Sequence, residues 1–170
     1  RVTGSEKVKL YFDSVSITNS NGAALSCENE KRTILSLAAN TENSLSDGAN
    51  SNATTDGETA ALFTEDKLTI NGSGALTVTG NAANGIVCRD DLKIIDGTIS
   101  VTAANNGMKG KDSIGIYGGT ITIDAQNDGL KTTKADDPEQ GWIAISGGTL
   151  NITAKGDGIQ AETDCYIDGG

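Results

Sequence analysis

The chain contains no histidine among its 170 residues, and it has only one proline and one tryptophan. Without an imidazole, it cannot use Ser-His-Asp catalysis or a histidine-ligated zinc site. Aromatic residues make up only 4% of the sequence, which argues against docking on a flat crystalline surface through a broad aromatic platform. No apolar run approaches the roughly 18 residues of a membrane-spanning helix. We therefore expect no membrane insertion.

Basic residues are also scarce: 13 Lys and Arg face 23 Asp and Glu, for a formal net charge of −10 at pH 7. A chain this acidic repels the phosphates of nucleic acids and the head groups of anionic membranes. We therefore expect no nucleic-acid partner. An anionic ligand would need a local basic strip or a bridging cation.

Glycine, by contrast, is abundant, with 22 residues, and it marks a segment that recurs along the chain. The copies begin at Gly85, Gly107, Gly129 and Gly158, at intervals of 22, 22 and 29 residues. Short β-branched runs between Gly, Asn and Asp turns at such a period indicate a solenoid. Alternation within the runs gives three strands per repeat, with the aliphatic side chains inward. The sequence predicts an all-β, single-stranded, right-handed parallel β-helix with about 22 residues and three short strands per coil.

Weaker copies extend this pattern towards the N-terminus, where Ala24 and Ala61 align with Gly85. We therefore expect one β-helix domain over 1–170. Polar and turn-forming stretches predict surface loops at 38–58 and 134–142. Both ends fall within the pattern, so we expect an interior part of a longer solenoid; end-to-end association with other chains is the alternative.

The three cysteines fall at inward positions of this pattern. Cys27 and Cys88 share one position with a coil between them, which places their Cα atoms roughly 9 to 10 Å apart. A disulfide needs less than about 7 Å. Cys165 takes an inward place as well, and we expect all three to act as small core residues.

Specific phrases in the repeats resemble a known family. Between residues 8 and 170 the chain carries, in order, LTINGSGALTVTGNAANGIVCRDDLKI, GGTITI, NDGLKT and SGGTLNITAKGDGIQAETD. These phrases resemble the carbohydrate-binding β-helix domains of secreted bacterial proteins, which are similar in shape to pectate lyases. The resemblance implies binding of cellulose or polygalacturonate (pectin), bound calcium, no lyase activity, and an extracellular or cell-surface location in a bacterium.

A row of aspartates is the first candidate site. Asp66, Asp90 and Asp112 each lie five residues after the start of a repeat, on consecutive coils. Neighbouring carboxylates would lie about 5 Å apart, and calcium would relieve their repulsion. Glu162 lies close to the same turn in a later copy. A turn whose charges are neutralised by adjacent Arg and Lys is the alternative.

A second polar row precedes the starts of the repeats. It consists of Asn84, Asn106, Asp128 and Asp157. Asn and Asp tolerate turn conformations and can stack into hydrogen-bonded ladders, so a structural role is expected. Asp128 and Asp157 have no obvious lysine partner in the sequence, which leaves them as secondary cation candidates.

Basic and aromatic residues supply the candidate ligand contacts. Lys109 and Lys131 form an outward pair on adjacent coils, and Arg89 and Lys111 lie near them. Such a strip could bind uronate carboxylates, although solvated surface lysines are the alternative. Trp142, the sole tryptophan, could stack on the face of a sugar ring.

These observations together predict a secreted, non-catalytic, calcium-assisted domain that binds polysaccharide. Two alternatives stay open. One is a pectate-lyase-type eliminase in which Arg89, Lys109 or Lys131 abstracts a proton beside a calcium-bound uronate. The other is a structural, self-assembling surface solenoid.

Overall fold

Short runs of alternating aliphatic and polar residues form the strands of the computed structural model, which describes residues 1–52 and 57–170. In chain order the strands are β1 (Val2–Gly4), β2 (Val8–Phe12), β3 (Ser16–Asn19), β4 (Leu25–Asn29), β5 (Thr33–Leu37), β6 (Glu42–Asp47), β7 (Ala60–Thr64), β8 (Leu68–Asn71), β9 (Ala75–Gly80), β10 (Asn84–Cys88), β11 (Asp91–Ile94), β12 (Thr98–Ala103), β13 (Met108–Gly110), β14 (Ser113–Ile116), β15 (Thr120–Ala125), β16 (Leu130–Thr132), β17 (Trp142–Ser146), β18 (Thr149–Ala154), β19 (Ile159–Gln160) and β20 (Cys165–Gly169).

The strands build three parallel sheets. Sheet A has the order β1-β4-β7-β10-β13-β16-β19, sheet B the order β2-β5-β8-β11-β14-β17-β20, and sheet C the order β3-β6-β9-β12-β15-β18. The chain visits sheets A, B and C in turn, so each of the first six coils contributes one strand to each sheet, and β19 and β20 then join sheets A and B. The predicted parallel β-helix with three strands per coil is confirmed. Over the described ranges, the structure has no helix long and apolar enough to span a membrane.

The repeats are in register as the sequence predicts. Ile86 pairs with Met108, Met108 with Leu130, and Leu130 with Ile159, so equal positions of successive repeats are neighbours in space. Their inward side chains stack in one continuous aliphatic core that runs along the coil axis. Burial of these columns is the main term that stabilises the fold.

Two of the predicted boundaries are wrong. The predicted loop 38–58 contains β6, in which Leu45 is fully buried and pairs with Val78, because this segment also alternates polar and core positions. Residues 53–56 of that loop lie outside the described residues. The predicted loop 134–142 ends one residue earlier, since Trp142 begins β17.

The cysteines are free thiols. Cys27 and Cys88 are buried at equivalent positions, each paired with Thr64 of the coil between them. Burial raises the pKa of both thiols to about 11, so they remain protonated core residues. The prediction for Cys165 is wrong: it pairs with Ile143 in an inward column but is exposed, because no strand of the described chain packs beyond β20.

Candidate functional site

The row of Asp66, Asp90 and Asp112 lies at the turns between sheets A and B. Asp66 Oδ1 accepts a hydrogen bond from the backbone nitrogen of Lys67 at 2.6 Å, and Asp90 Oδ1 accepts one from that of Asp91 at 2.7 Å. Lys67 Nζ lies 2.8 Å from Asp91 Oδ2 and 3.6 Å from Asp90 Oδ1. Much of the negative charge at these turns is therefore neutralised within the protein.

Asp112 differs from the other members of the row. Its Oδ1 is buried and has no hydrogen-bond partner among the described residues. Burial, together with the nearby carboxylate of Asp90, raises the pKa of Asp112 above its ordinary value. Asp112 is thus the member of the row best placed to gain from a cation or a hydrogen-bond donor.

The predicted metal ligands do not form one cluster around the row of Asp66, Asp90 and Asp112. Gly141 donates to the carbonyl oxygen of Asp112 at 2.6 Å and accepts from the backbone nitrogen of Glu162 at 2.9 Å, so it separates Glu162 from Asp112. Within residues 1–52 and 57–170, no three Cys, Asp or Glu side chains form a group that can hold a metal ion. Since Ca²⁺ takes roughly six to eight oxygen ligands, these side chains alone do not fit a calcium cage.

The second polar row forms the expected hydrogen-bonded ladder at the turns between sheets C and A. Asn106 Nδ2 donates to Asn84 Oδ1 at 2.9 Å, and the backbone nitrogen of Asp128 donates to Asn106 Oδ1 at 3.3 Å. The backbone nitrogen of Asp157 donates to Asp128 Oδ1 at 2.9 Å. This row lies at the opposite ends of the sheet A strands from Asp112, so the two rows are separate.

The expectation that Asp128 lacks a lysine partner is wrong. Lys131 Nζ lies 2.8 Å from Asp128 Oδ2. Burial disfavours the carboxylate of Asp128, but the hydrogen bonds from Lys131 and Asp157 more than offset it, and the pKa of Asp128 falls below its ordinary value. These contacts give Asp128 a structural role in the ladder.

The predicted basic strip is also occupied within the protein. Lys109 and Lys131 pair in register on the outer face of sheet A, but Lys109 Nζ contacts Glu58 Oε1 at 2.6 Å, while Lys131 contacts Asp128. Arg89 Nε lies 3.7 Å from Glu65 Oε1. Lys111 lies beside Asp112 at the turn. The strip therefore offers less positive charge to a ligand than its sequence suggests.

The aromatic side chains divide into a buried and an outward group. Both phenylalanines, Phe12 and Phe63, are buried. The remaining aromatic residues, which are the chain's only Tyr and Trp residues, all lie at outward positions of sheet B or directly after its strands: Tyr11, Tyr117, Trp142 and Tyr166. One face of the solenoid thus carries every aromatic ring that has both an apolar face and a polar edge.

Two of these rings flank a shallow cleft of about 360 Å³. It is lined by Pro138, Glu139, Trp142, Ala144, Asp164 and Tyr166. Ala144 lies two residues after Trp142 on β17 and pairs with Tyr166 of β20, so a small side chain adjoins both aromatic positions. The Tyr117 ring lies over Gly115, where an added Cβ would approach its Cε2 to 2.9 Å. The cleft thus combines two aromatic rings with the small side chain of Ala144.

The cleft is acidic. Glu139 and Asp164 line it, and hydrogen bonding to the Asp164 carboxylate raises the pKa of the Tyr166 phenol. A second cleft of about 380 Å³ lies at the turns of the first coils, and its lining is instead mainly basic: Lys7, Glu30, Lys31, Arg32, Asp66 and Lys67. It has no aromatic residue.

Of the residues predicted to contact ligand, only Trp142 lies in the aromatic cleft. Tyr166 was missed, although it follows an inward position and its outward direction can be inferred from strand alternation. Pro138, Glu139 and Asp164 carried no such signal, because the first two belong to the insertion and the third to a turn. The positions of Pro138 and Glu139 depend on how the insertion folds back on sheet B.

Comparison with known proteins gives consistent findings. The family model described as carbohydrate-binding domain-containing protein matches residues 1–170. A protein of the same description from Acetivibrio thermocellus is 39% identical over 97 residues, which cover 55% of this chain and 34% of the relative. The chain therefore aligns with about a third of that relative's length.

A solved structure is similar over nearly the whole chain. It is described as the polysaccharide lyase-like protein from C. thermocellum, in a gadolinium derivative, and it covers 96% of this chain and 76% of its own length with a TM-score of 0.86 and 32% sequence identity. The match of the family model over every residue decides the classification. The chain belongs to the carbohydrate-binding domain-containing protein family.

Proposed function

We propose that this domain binds a neutral polysaccharide, without cleaving it, in the cleft between Trp142 and Tyr166. The observation that carries the proposal is the position of all Tyr and Trp residues on the strands of sheet B or directly after them, two of them lining one cleft. Indole and phenol rings offer an apolar face and a polar edge, which suit the C–H face and the hydroxyls of a pyranose. Family membership supports a carbohydrate as the ligand.

The charge of the cleft supports a neutral sugar over a uronate. Glu139 and Asp164 would repel the carboxylates of polygalacturonate, and the chain's net charge of −10 adds to that repulsion. The same two carboxylates can accept strong hydrogen bonds from sugar hydroxyls. Between the two polymers that the family resemblance implies, we therefore propose a cellulose-type glucan. Because such a polymer lies outside cells, we propose an extracellular or cell-surface location.

The contacts of the basic residues support binding without catalysis. A lyase needs an unoccupied base beside the sugar, yet Lys109 and Lys131 each donate to a carboxylate, and Arg89 lies near Glu65. None of these three lines the aromatic cleft. The three basic residues that a pectate-lyase-type reaction would use therefore do not serve this cleft.

Titration calorimetry with cello-oligosaccharides and with oligogalacturonates tests the proposal. We expect saturable binding of the neutral sugars and none of the uronates. In parallel, incubation with polygalacturonate and calcium should give no rise in the ultraviolet absorbance of unsaturated product. Uronate binding with a steady absorbance rise would establish the lyase alternative. Filaments in electron microscopy without binding of any sugar would favour the structural one.

We also propose that calcium assists saccharide binding, and that oxygens of the saccharide or of water complete the coordination of the ion around Asp112. Because no three acidic side chains converge in the described ranges, we expect calcium to shift the melting temperature of the ligand-free domain by less than about 2 °C. Differential scanning calorimetry in calcium, in magnesium and in a chelator measures this shift. A large rise specific to calcium that Asp112→Asn removes would contradict the expectation and establish a resident site.

A further inference from the structure

The outer face of sheet C carries an ordered array of hydroxyl groups. Its outward positions on β3, β6, β9, β12, β15 and β18 are Ser or Thr with four exceptions, and the only charged ones are Glu42 and Asp124. We call this surface the hydroxyl face. It has no aromatic ring, and its charge is low on a chain whose net charge is −10.

Strand register places these hydroxyls on a lattice. Thr98 pairs with Thr120 and Thr120 with Thr149, which gives one row along the coil axis; Thr77, Ser100 and Thr122 form the next. Hydroxyls within a row repeat at about 4.8 Å, and the two rows lie about 6.6 Å apart along the strands. Parallel pairing over this many coils keeps the lattice regular and rigid.

The hydroxyls of one row, on β12, β15 and β18, are open to a partner. Thr98, Thr120 and Thr149 are exposed, and in the part of the chain that the structure describes their hydroxyls form no hydrogen bond. At the N-terminal end, by contrast, the Ser16 and Ser44 hydroxyls contact each other at 2.8 Å. Each open hydroxyl can both donate and accept.

We propose that the hydroxyl face is a second binding surface, which takes the ordered surface of an insoluble neutral polysaccharide. Charge complementarity selects this occupant, since an almost uncharged face on an acidic chain gives an ionic ligand nothing to pair with. A polysaccharide surface is itself a periodic array of groups that both donate and accept, so many contacts can form in register. A single hydrogen bond contributes little, but many on one rigid scaffold act together.

The hydroxyl face and the aromatic cleft have different ligand requirements. The face lies on sheet C and the cleft on sheet B, and the outward residues of the face include no aromatic ring to hold one sugar. It should therefore bind extended, ordered polymer and leave short oligosaccharides in solution. The neutral ligand class rests on the proposed function, whereas the site itself rests on the register of sheet C.

Replacement of one row by valine tests the proposal. The variant Thr98→Val/Thr120→Val/Thr149→Val keeps the β-branched shape that strands favour but removes three hydroxyls. Its partition onto microcrystalline cellulose, measured by depletion, should fall by about tenfold. Its calorimetric affinity for soluble cello-oligosaccharides should stay unchanged. The matched triple Thr→Ser variant, which restores the hydroxyls, should recover the partition, and Thr69→Val on sheet B should behave as the wild type.

The outcomes separate this proposal from others. Unchanged or stronger retention of the valine variant on cellulose would overturn it, because an apolar contact would then suffice. Inhibition of ice recrystallisation by the wild type but not by the variant, with cellulose retention unchanged, would assign the face to ice. A dimer in sedimentation that only the valine variant loses would assign it to a second copy. The two proposals can fail separately. If the wild type binds no soluble sugar, or if Trp142→Ala does not weaken that binding, the cleft proposal fails, while the partition experiment still decides the hydroxyl face.

Discussion

Trp142→Ala should weaken binding of neutral oligosaccharides by roughly 30-fold or more. Buried tryptophans at binding sites commonly contribute about 2 kcal/mol or more, and each 1.4 kcal/mol is about a factor of ten in affinity. Here the indole lines the cleft together with Tyr166, so its removal takes away one of the two rings that can hold a sugar. Titration calorimetry at constant pH and salt measures the loss. Trp142→Phe, which keeps a smaller ring, should fall between wild type and alanine.

Tyr11→Ala is the matched control for the aromatic cleft. Tyr11 also projects from sheet B and is 66% exposed, but four strands lie between β2 and β17, which places it about 24 Å from Trp142. We expect this substitution to leave affinity within a factor of about two. Equal losses at Tyr11 and Trp142 would show that sugar binds along the whole face. No loss at either position would remove sheet B from the function.

Strand alternation and repeat spacing predicted the fold because both depend on local sequence. Any residue between two inward aliphatic neighbours points outward, and any two residues at the same offset in successive coils become neighbours. Ile86, Met108 and Leu130 followed that rule, and so did the ladder from Asn84 to Asp128. The strand β6 was missed because its core positions are filled partly by Asn43 and Asp47, which are polar but buried.

The candidate site was less predictable because it depends on long side chains and on the insertion. Offset alone places Lys109 and Lys131 in one row, but the partner of each lysine depends on how far its side chain reaches. Glu58, for example, lies 51 residues from Lys109 in sequence and contacts it. Similarly, Pro138 and Glu139 join the cleft only after the insertion folds against sheet B. Repeat patterns carry no information about such contacts, since they occur once in the chain.

Steric crowding explains why a glycine starts the repeats. A Cβ on Gly107 would lie 2.4 Å from Ile123 Cγ2 and 2.7 Å from the carbonyl oxygen of Gly129. That oxygen accepts the hydrogen bond from Met108 N at 2.9 Å, so neither neighbour can move without disturbing the core or the ladder of sheet A. Gly107→Ala should therefore cost about 3 kcal/mol of folding free energy. Thermal unfolding followed by circular dichroism should show a melting temperature lower by roughly 6 to 12 °C.

Gly158→Ala tests whether the steric cause, rather than the loss of glycine itself, is responsible. Gly158 occupies the same position of the repeat, but an added Cβ there meets no atom within 4 Å. The substitution should leave the melting temperature unchanged or slightly higher, because alanine restricts the unfolded chain more than glycine does. If both variants lost stability equally, the close approach between sheets A and C could not explain the recurring glycine. If neither did, the corner at Gly107 would have to be wide enough for a methyl group, and the tight spacing of the coils there would be wrong.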